Sequence, residues 1–293
     1  MSDIRFKSYY IAVVLFSALL TVVSCSTRTV QKPVITVSIQ PQKYLLEQIV
    51  GDKIDVRCLL ANGGNPENYE PSLTHLMNLE GSEAYFQIGN IGFESAIIDR
   101  IRNNNPDLKI FNTSDSIMLI IGTHGECTAH GHSHEVDPHT WSSVRNGKII
   151  AANMYKAMIN MDPANEKTYT KNYSRLAAHL DSLDSRIDSM LSGRQGSAFM
   201  VWHPSLSYFA RDYGLEQISI GVEGKEASVQ RIQSKIDDAK RHNAKIFFAQ
   251  KDFDSRQASV ISRETGAKII DINPLNYQWE DELYGVAVAL ASE

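Results

Sequence analysis

One stretch near the middle of the chain limits its fold more than any other. Tyr169, Tyr173, Leu176, Leu180, Leu183, Ile187 and Met190 recur at alternating steps of four and three. That spacing places all seven on one face of an α-helix. Asp162 is the expected N-cap, Pro163 occupies the first helical position, and Gly193 supplies the stop. A helix over 162–192 would span roughly 45 Å at 1.5 Å per residue, the length of a small domain. The seam of a coiled-coil dimer has the same period. Here the repeat is isolated in a chain that otherwise alternates short strands and short helices, which favours packing within one chain and a monomer.

That alternation sets the fold class. Before the long helix, the β-branched and aromatic runs at 34–39, 54–60 and 84–88 read as strands, with short apolar runs at 109–111 and 117–121. Helical patterns lie at 44–50, from the candidate cap Ser72 onward, at 91–101 and at 149–159. After the long helix, strands at 198–202, 217–222, 245–249 and 268–272 alternate with helices at 206–213, 228–241, 255–265 and 281–291. Strands joined by helices imply parallel sheets. The expectation is an α/β protein of two lobes, 34–160 and 197–293, each a mostly parallel sheet flanked by helices. One long rigid helix joins them, and ligand loops lie beyond the carboxyl ends of the strands, in the cleft between the lobes.

Chemistry concentrates at 122–141, GTHGECTAHGHSHEVDPHTW, which holds five of the nine histidines. Neutral imidazole is the commonest protein ligand for late divalent metals, Zn²⁺ among them. Residues 123–135 are small and His-rich, the composition of a metal-gathering loop containing His124, His130, His132 and His134. From Asp137 the sequence becomes Asp137-Pro138-His139-Thr140-Trp141, where Pro138 restricts the backbone on both sides and presents His139 from a fixed turn. His203 directly follows the strand at 198–202, and Glu67 lies in a Gly/Pro loop after the strand at 54–60. Each lobe therefore offers ligand types at its strand ends. Cys58 sits in an apolar run and reads as core. Cys127 lies in the His-rich loop, where it is a further soft ligand or, in an oxidising compartment, a partner for Cys58; the spacing demands neither.

The chain begins with an address. Arg5 and Lys7 precede the apolar run 9–23, which is short for a membrane span and suits a secretory leader. It ends at Val22-Val23-Ser24-Cys25, which resembles a bacterial lipoprotein signal. In that reading 1–25 is the signal with Cys25 lipidated, 26–33 is a tether, and the mature domain is held to a membrane on its periplasmic or extracellular face. An ordinary cleaved signal or an uncleaved anchor fits the same run. The net charge of −5 is mixed, with no basic stripe, which argues against a nucleic-acid partner.

Taken together, these segments resemble the substrate-binding lipoproteins of bacterial ABC importers for zinc and manganese, the metal-binding cluster A-I family, over nearly all of 34–293. The family's Pro-His-x-Tyr-Glu-Pro stands here as Pro66-Glu67-Asn68-Tyr69-Glu70-Pro71, with Glu67 in place of the usual His. Its Asp-Pro-His-x-Trp is intact at Asp137–Trp141. The third motif is similar to His203-Pro204-Ser205-Leu206-Ser207-Tyr208-Phe209 followed by Tyr213-Gly214-Leu215, and the fourth to Asn273-Pro274-Leu275, where the family often has Asp. The resemblance implies Zn²⁺ as transported ligand, with Mn²⁺ or Fe²⁺ as alternatives. It implies a ligand set of Glu67, His139 and His203, completed by Asp271, Asn273 or water, or with Glu70 replacing Glu67. It also implies an accessory His loop and an ABC permease with its ATPase as partners. A mixed imidazole and carboxylate sphere accepts all three metals, and the His-rich loop tilts the choice to zinc. A zinc hydrolase and a metal-binding adhesin are the other classes; the chain has neither HExxH nor G-x-S-x-G, and no adhesive repeat.

Overall fold

The computed structural model describes residues 32–60, 66, 69–121, 136–221, 228–250 and 255–293. Residues 33–293 form one compact unit. Its first half runs β1 (Val34–Val37), α1 (Gln40–Val50), β2 (Asp55–Cys58), α2 (Leu73–Glu80), β3 (Ala84–Gln87), α3 (Gly92–Asn104), β4 (Lys109–Asn112) and α4 (Val144–Met161). A 3₁₀ turn (Pro163–Asn165) leads into α5 (Glu166–Met190). The second half runs β5 (Ala198–Val201), α6 (Ser207–Tyr213), β6 (Glu216–Ser219), α7 (Val229–Arg241), β7 (Ile246–Gln250), α8 (Ser255–Thr265), β8 (Lys268–Ile272) and α9 (Trp279–Ala291).

The strands form two four-stranded parallel sheets, ordered β2-β1-β3-β4 and β6-β5-β7-β8. The two orders are the same pattern, so each sheet reverses direction of growth once, between β1 and β3 and between β5 and β7. Ligands of open parallel sheets bind beyond the carboxyl ends of strands at such reversals. His203, two residues past β5, stands at one of them.

The long helix is shorter than its sequence suggests. Asp162 stands at the cap position with Pro163 first in the turn, and its carboxylate accepts from Asn165 Nδ2 at 2.8 Å and from the Tyr169 hydroxyl at 2.6 Å. The first turn tightens to 3₁₀, and the α-helical part has 25 residues, about 37 Å. Its apolar stripe is satisfied within the chain. Tyr169, Leu176, Leu180, Leu183 and Ile187 are buried in a core that runs from one sheet to the other, and α5 packs on α1, α4 and α9. The coiled-coil alternative is thereby removed. Tyr173 stacks on Tyr155, with ring centroids 4.4 Å apart. Helix α4 begins at Val144, earlier than the apolar period suggests, because the Ser143 side chain accepts the Asn146 N–H and starts it. Cys58 carries a free thiol whose Sγ faces the carbonyls of Ser38 and Leu60, and burial pushes it up to about 12; Cys127, its alternative partner, lies outside the described residues. No described helix is long and apolar enough to cross a membrane.

A buried carboxylate ties the carboxyl ends of β1 and β3 together. Glu94, in the first turn of α3, accepts the N–H groups of Ile88 and Gly89 at 2.7 Å each, and the Ser38 hydroxyl donates to it. Gly89 is required there twice over: its φ is +88°, and a Cβ would meet Asn112 Oδ1 at 2.7 Å. Burial raises the Glu94 carboxyl to about 7, outweighing the hydrogen bonds that favour its ionised form. Its folded value lies above its ordinary 4.5, so the native state holds the extra proton between those values. Stability then falls as pH rises from about 4.5 to 7, by an amount on the order of 3 kcal/mol for this group. Urea unfolding of the wild type and of Glu94→Gln at several pH values checks this: the advantage of the wild type over the variant shrinks as pH rises through that window.

Candidate metal centre

Two histidines, 64 positions apart, meet at 3.0 Å through their Nε2 atoms. His139 is 2% exposed and His203 8%. Each arrives on backbone that the local sequence fixes. Pro138 bends the chain so that its carbonyl accepts the Thr140 N–H, and the His139 carbonyl then accepts the Ser142 N–H. His203 leaves β5 through Trp202, whose N–H donates to Phe248 O, and turns at Pro204, where the His203 carbonyl accepts the Ser205 N–H at 2.7 Å. The turn feeds α6.

The chemistry of the pair follows from Asp137. Its Oδ1 lies 2.9 Å from the His139 backbone nitrogen and 2.9 Å from His139 Nδ1. A carboxylate can only accept, so it fixes the proton on Nδ1 and leaves Nε2 as the basic nitrogen. Nε2 of His139 then accepts from Nε2–H of His203. Burial pushes the Asp137 carboxyl up, but hydrogen bonds from His139 and Ser207 outweigh it and hold the group below the usual carboxylate range. An ionised, buried carboxylate behind an imidazole raises its strength as a metal ligand. In tetrahedral zinc with bonds of 2.0–2.1 Å, two ligand nitrogens stand about 3.3 Å apart. The pair needs to part by only a few tenths of an ångström, with the His203 proton moved to its other nitrogen, to seat such an ion.

Helix α6 braces this arrangement. The buried Tyr208 hydroxyl donates to Asp137 O at 2.8 Å and accepts the Ile120 N–H at 3.2 Å. Asp137 N–H donates to Ile120 O at 2.9 Å, and Ile121 bridges Val136 in antiparallel fashion. The phenol is raised to about 12, chiefly by burial. Arg211 lies over the Tyr208 ring and donates to Met118 O at 2.7 Å. Sequence reading passed over these roles, because Tyr208 and Arg211 bind backbone atoms that no side-chain pattern marks.

The other expected ligands are placed as follows. Asp271 is exposed on β8, in register with Ala249. Asn273 is exposed, and its Oδ1 accepts the Leu275 N–H at 3.2 Å while its own N–H donates to Glu282. Glu70 is exposed. Glu67, His124, His130, His132, His134 and Cys25 lie outside the described residues. Among the described residues no three His, Cys, Asp or Glu side chains converge.

A family model described as zinc-uptake complex component A, periplasmic, matches residues 35–285. A Chlamydia trachomatis serovar D protein, named as a candidate metal-binding protein, is 32% identical over 262 residues that cover 88% of this chain and 90% of that one. The zinc-binding lipoprotein AdcA of Streptococcus pneumoniae is 25% identical over 258 residues, which cover 85% of this chain but 51% of AdcA, so the chain spans about half of that relative. A crystal structure of ZnuA superposes with a TM-score of 0.81 at 34% identity, covering 89% of this chain and 98% of that one.

Proposed function

The chain belongs to the family of zinc-uptake complex component A, the substrate-binding proteins of metal ABC importers, and from that premise we propose that it captures Zn²⁺ in the cleft and delivers it to a membrane permease and its ATPase. The observation that carries the reading is the meeting of His139 and His203 through their metal-binding nitrogens, one ring braced by an ionised carboxylate. Glu67 supplies a third ligand, and Asp271, Asn273 or water the fourth. The role is capture rather than catalysis. The residues of 123–135, His124, His130, His132 and His134 among them, raise the local supply of metal without forming the tight site. Cys25 bears the lipid that holds the protein at the outer face of a membrane, a reading supported by Val22-Val23-Ser24-Cys25 alone. The same ligand types accept Mn²⁺ and Fe²⁺.

The test is a competition titration of Zn²⁺ against Mn²⁺, with and without residues 123–135. The reading expects one tight zinc site that outlasts loop removal. Survival is expected because Ile121 and Val136 already bridge across the base of the excised segment, so a short turn can close it. Tight manganese binding, with zinc held only while the loop is present, would overturn it.

A further inference from the structure

The Tyr208 hydroxyl sits where three pieces of chain converge. It receives the N–H of Ile120, before the His-rich segment, and gives its proton to the carbonyl of Asp137, after it. It belongs to α6, which starts four residues past His203. Asp137 is therefore held on four sides: its N–H by Ile120 O, its carbonyl by Tyr208, and its carboxylate by the ring and backbone of His139, with Ser207 of α6 as a further donor. The helix that follows one histidine thus fixes the peptide that orients the other. Tyr208 is fully buried, and Arg211 lies over its ring while holding Met118 O.

We propose that Tyr208 is a positioning residue for the metal site: by holding the Asp137 peptide from α6 it sets the aim of His139 Nε2 toward His203. The inference rests on the reading of His139 and His203 as ligands. Tyr208→Phe keeps the ring and its packing but leaves the Asp137 carbonyl without this donor and the Ile120 N–H without this acceptor. The Asp137 carbonyl is buried and the Ile120 N–H partly so, and local relaxation of the Asp137–His139 turn follows. Loss of a group that orients a ligand from the outer shell typically lowers metal affinity by 10–100-fold.

The experiment uses the full chain and three variants: Tyr208→Phe, Tyr169→Phe and His203→Ala. Tyr169 is an equally buried tyrosine whose hydroxyl bonds Asp162 at the start of the linking helix. Zn²⁺ affinity is read by chelator competition, and the Co²⁺-loaded protein by its visible d–d spectrum. Tyr208→Phe is expected to weaken zinc by roughly 10–100-fold, to shift the Co²⁺ bands, and to shrink the rise in Tm on adding zinc. Tyr169→Phe is expected to lower Tm with and without metal alike, leaving affinity and spectrum in place. If His203→Ala loses the site while Tyr208→Phe keeps wild-type affinity and bands, the positioning role is overturned and the ligand assignment stands. If His203→Ala keeps the tight site, the ligand assignment fails and this inference with it.

Discussion

His203→Ala is expected to lower the affinity of the cleft for Zn²⁺ by roughly 10²–10³-fold. The estimate divides the 10–16 kcal/mol typical of a four-ligand protein zinc site among its ligands, about 2.5–4 kcal/mol each, at 1.4 kcal/mol per factor of ten. Little of the effect should come from unfolding, because His203 follows β5 in a turn whose backbone bonds do not involve the imidazole. His139→Ala is expected to lose at least as much. It also strips the ring from the Asp137 carboxylate, leaving a buried anion short of one donor, so the apo protein should lose stability as well. The two variants therefore separate by Tm and not by affinity. His242→Ala is the control: its ring pairs with Glu216 on the surface of the second sheet, and zinc affinity should not move. Competition against a chromophoric chelator measures all three. Wild-type affinity in His203→Ala would place the ion elsewhere.

What could be read from sequence divides along a physical line. Strand and helix order was legible because it depends on neighbours: apolar period, and serines such as Ser72 and Ser228 whose side chains cap the helices that follow. Helix α8 and strand β8 lie at 255–265 and 268–272, as the pattern alone predicts. The linking helix starts at Pro163 as the pattern predicts, but its first turn is 3₁₀ where the pattern reads as α, with the Asp162 carboxylate taken up by the Tyr169 hydroxyl two turns on. His139 was legible as a candidate ligand in a proline-fixed turn, and His203 as one at a strand end. Their approach to 3.0 Å was not, since it depends on how two sheets pack around α5. The least legible group was Tyr208, whose partners are backbone atoms 71 and 88 positions away. An aromatic residue on an amphipathic helix gives no sign of where its hydroxyl ends.

The packing that brings the two sheets into register should be the most stability-sensitive feature of the chain. Two tryptophans form it. The Trp279 indole N–H donates to Trp141 O at 2.7 Å, and the Trp141 indole N–H donates to Pro274 O at 3.0 Å. Both rings are buried, and the ring of Trp141 lies 5.1 Å from that of His139. Trp279→Ala is expected to cost about 3–5 kcal/mol of unfolding free energy, the range for emptying a buried aromatic site, and to leave the Trp141 carbonyl unpaired. Gly147 on α4 makes the same point from the other side. Glycine within a helix is disfavoured against alanine by about 0.5–1 kcal/mol, so Gly147→Ala would stabilise an open position. Here a Cβ would stand 2.3 Å from Cη2 and 2.8 Å from Cζ2 of Trp279, an overlap the buried indole cannot relieve without leaving Trp141 O. Overpacking of this kind costs about 1–3 kcal/mol or more, so the clash should win and Gly147→Ala should destabilise. The two positions touch, so their effects should not add. In a Trp279→Leu background the smaller side chain gives the methyl room, and Gly147→Ala should become neutral or stabilising. Urea unfolding of the two single variants and the double variant completes the cycle. Additive losses, or a more stable Gly147→Ala on its own, would mean that the indole does not fill the space over Gly147.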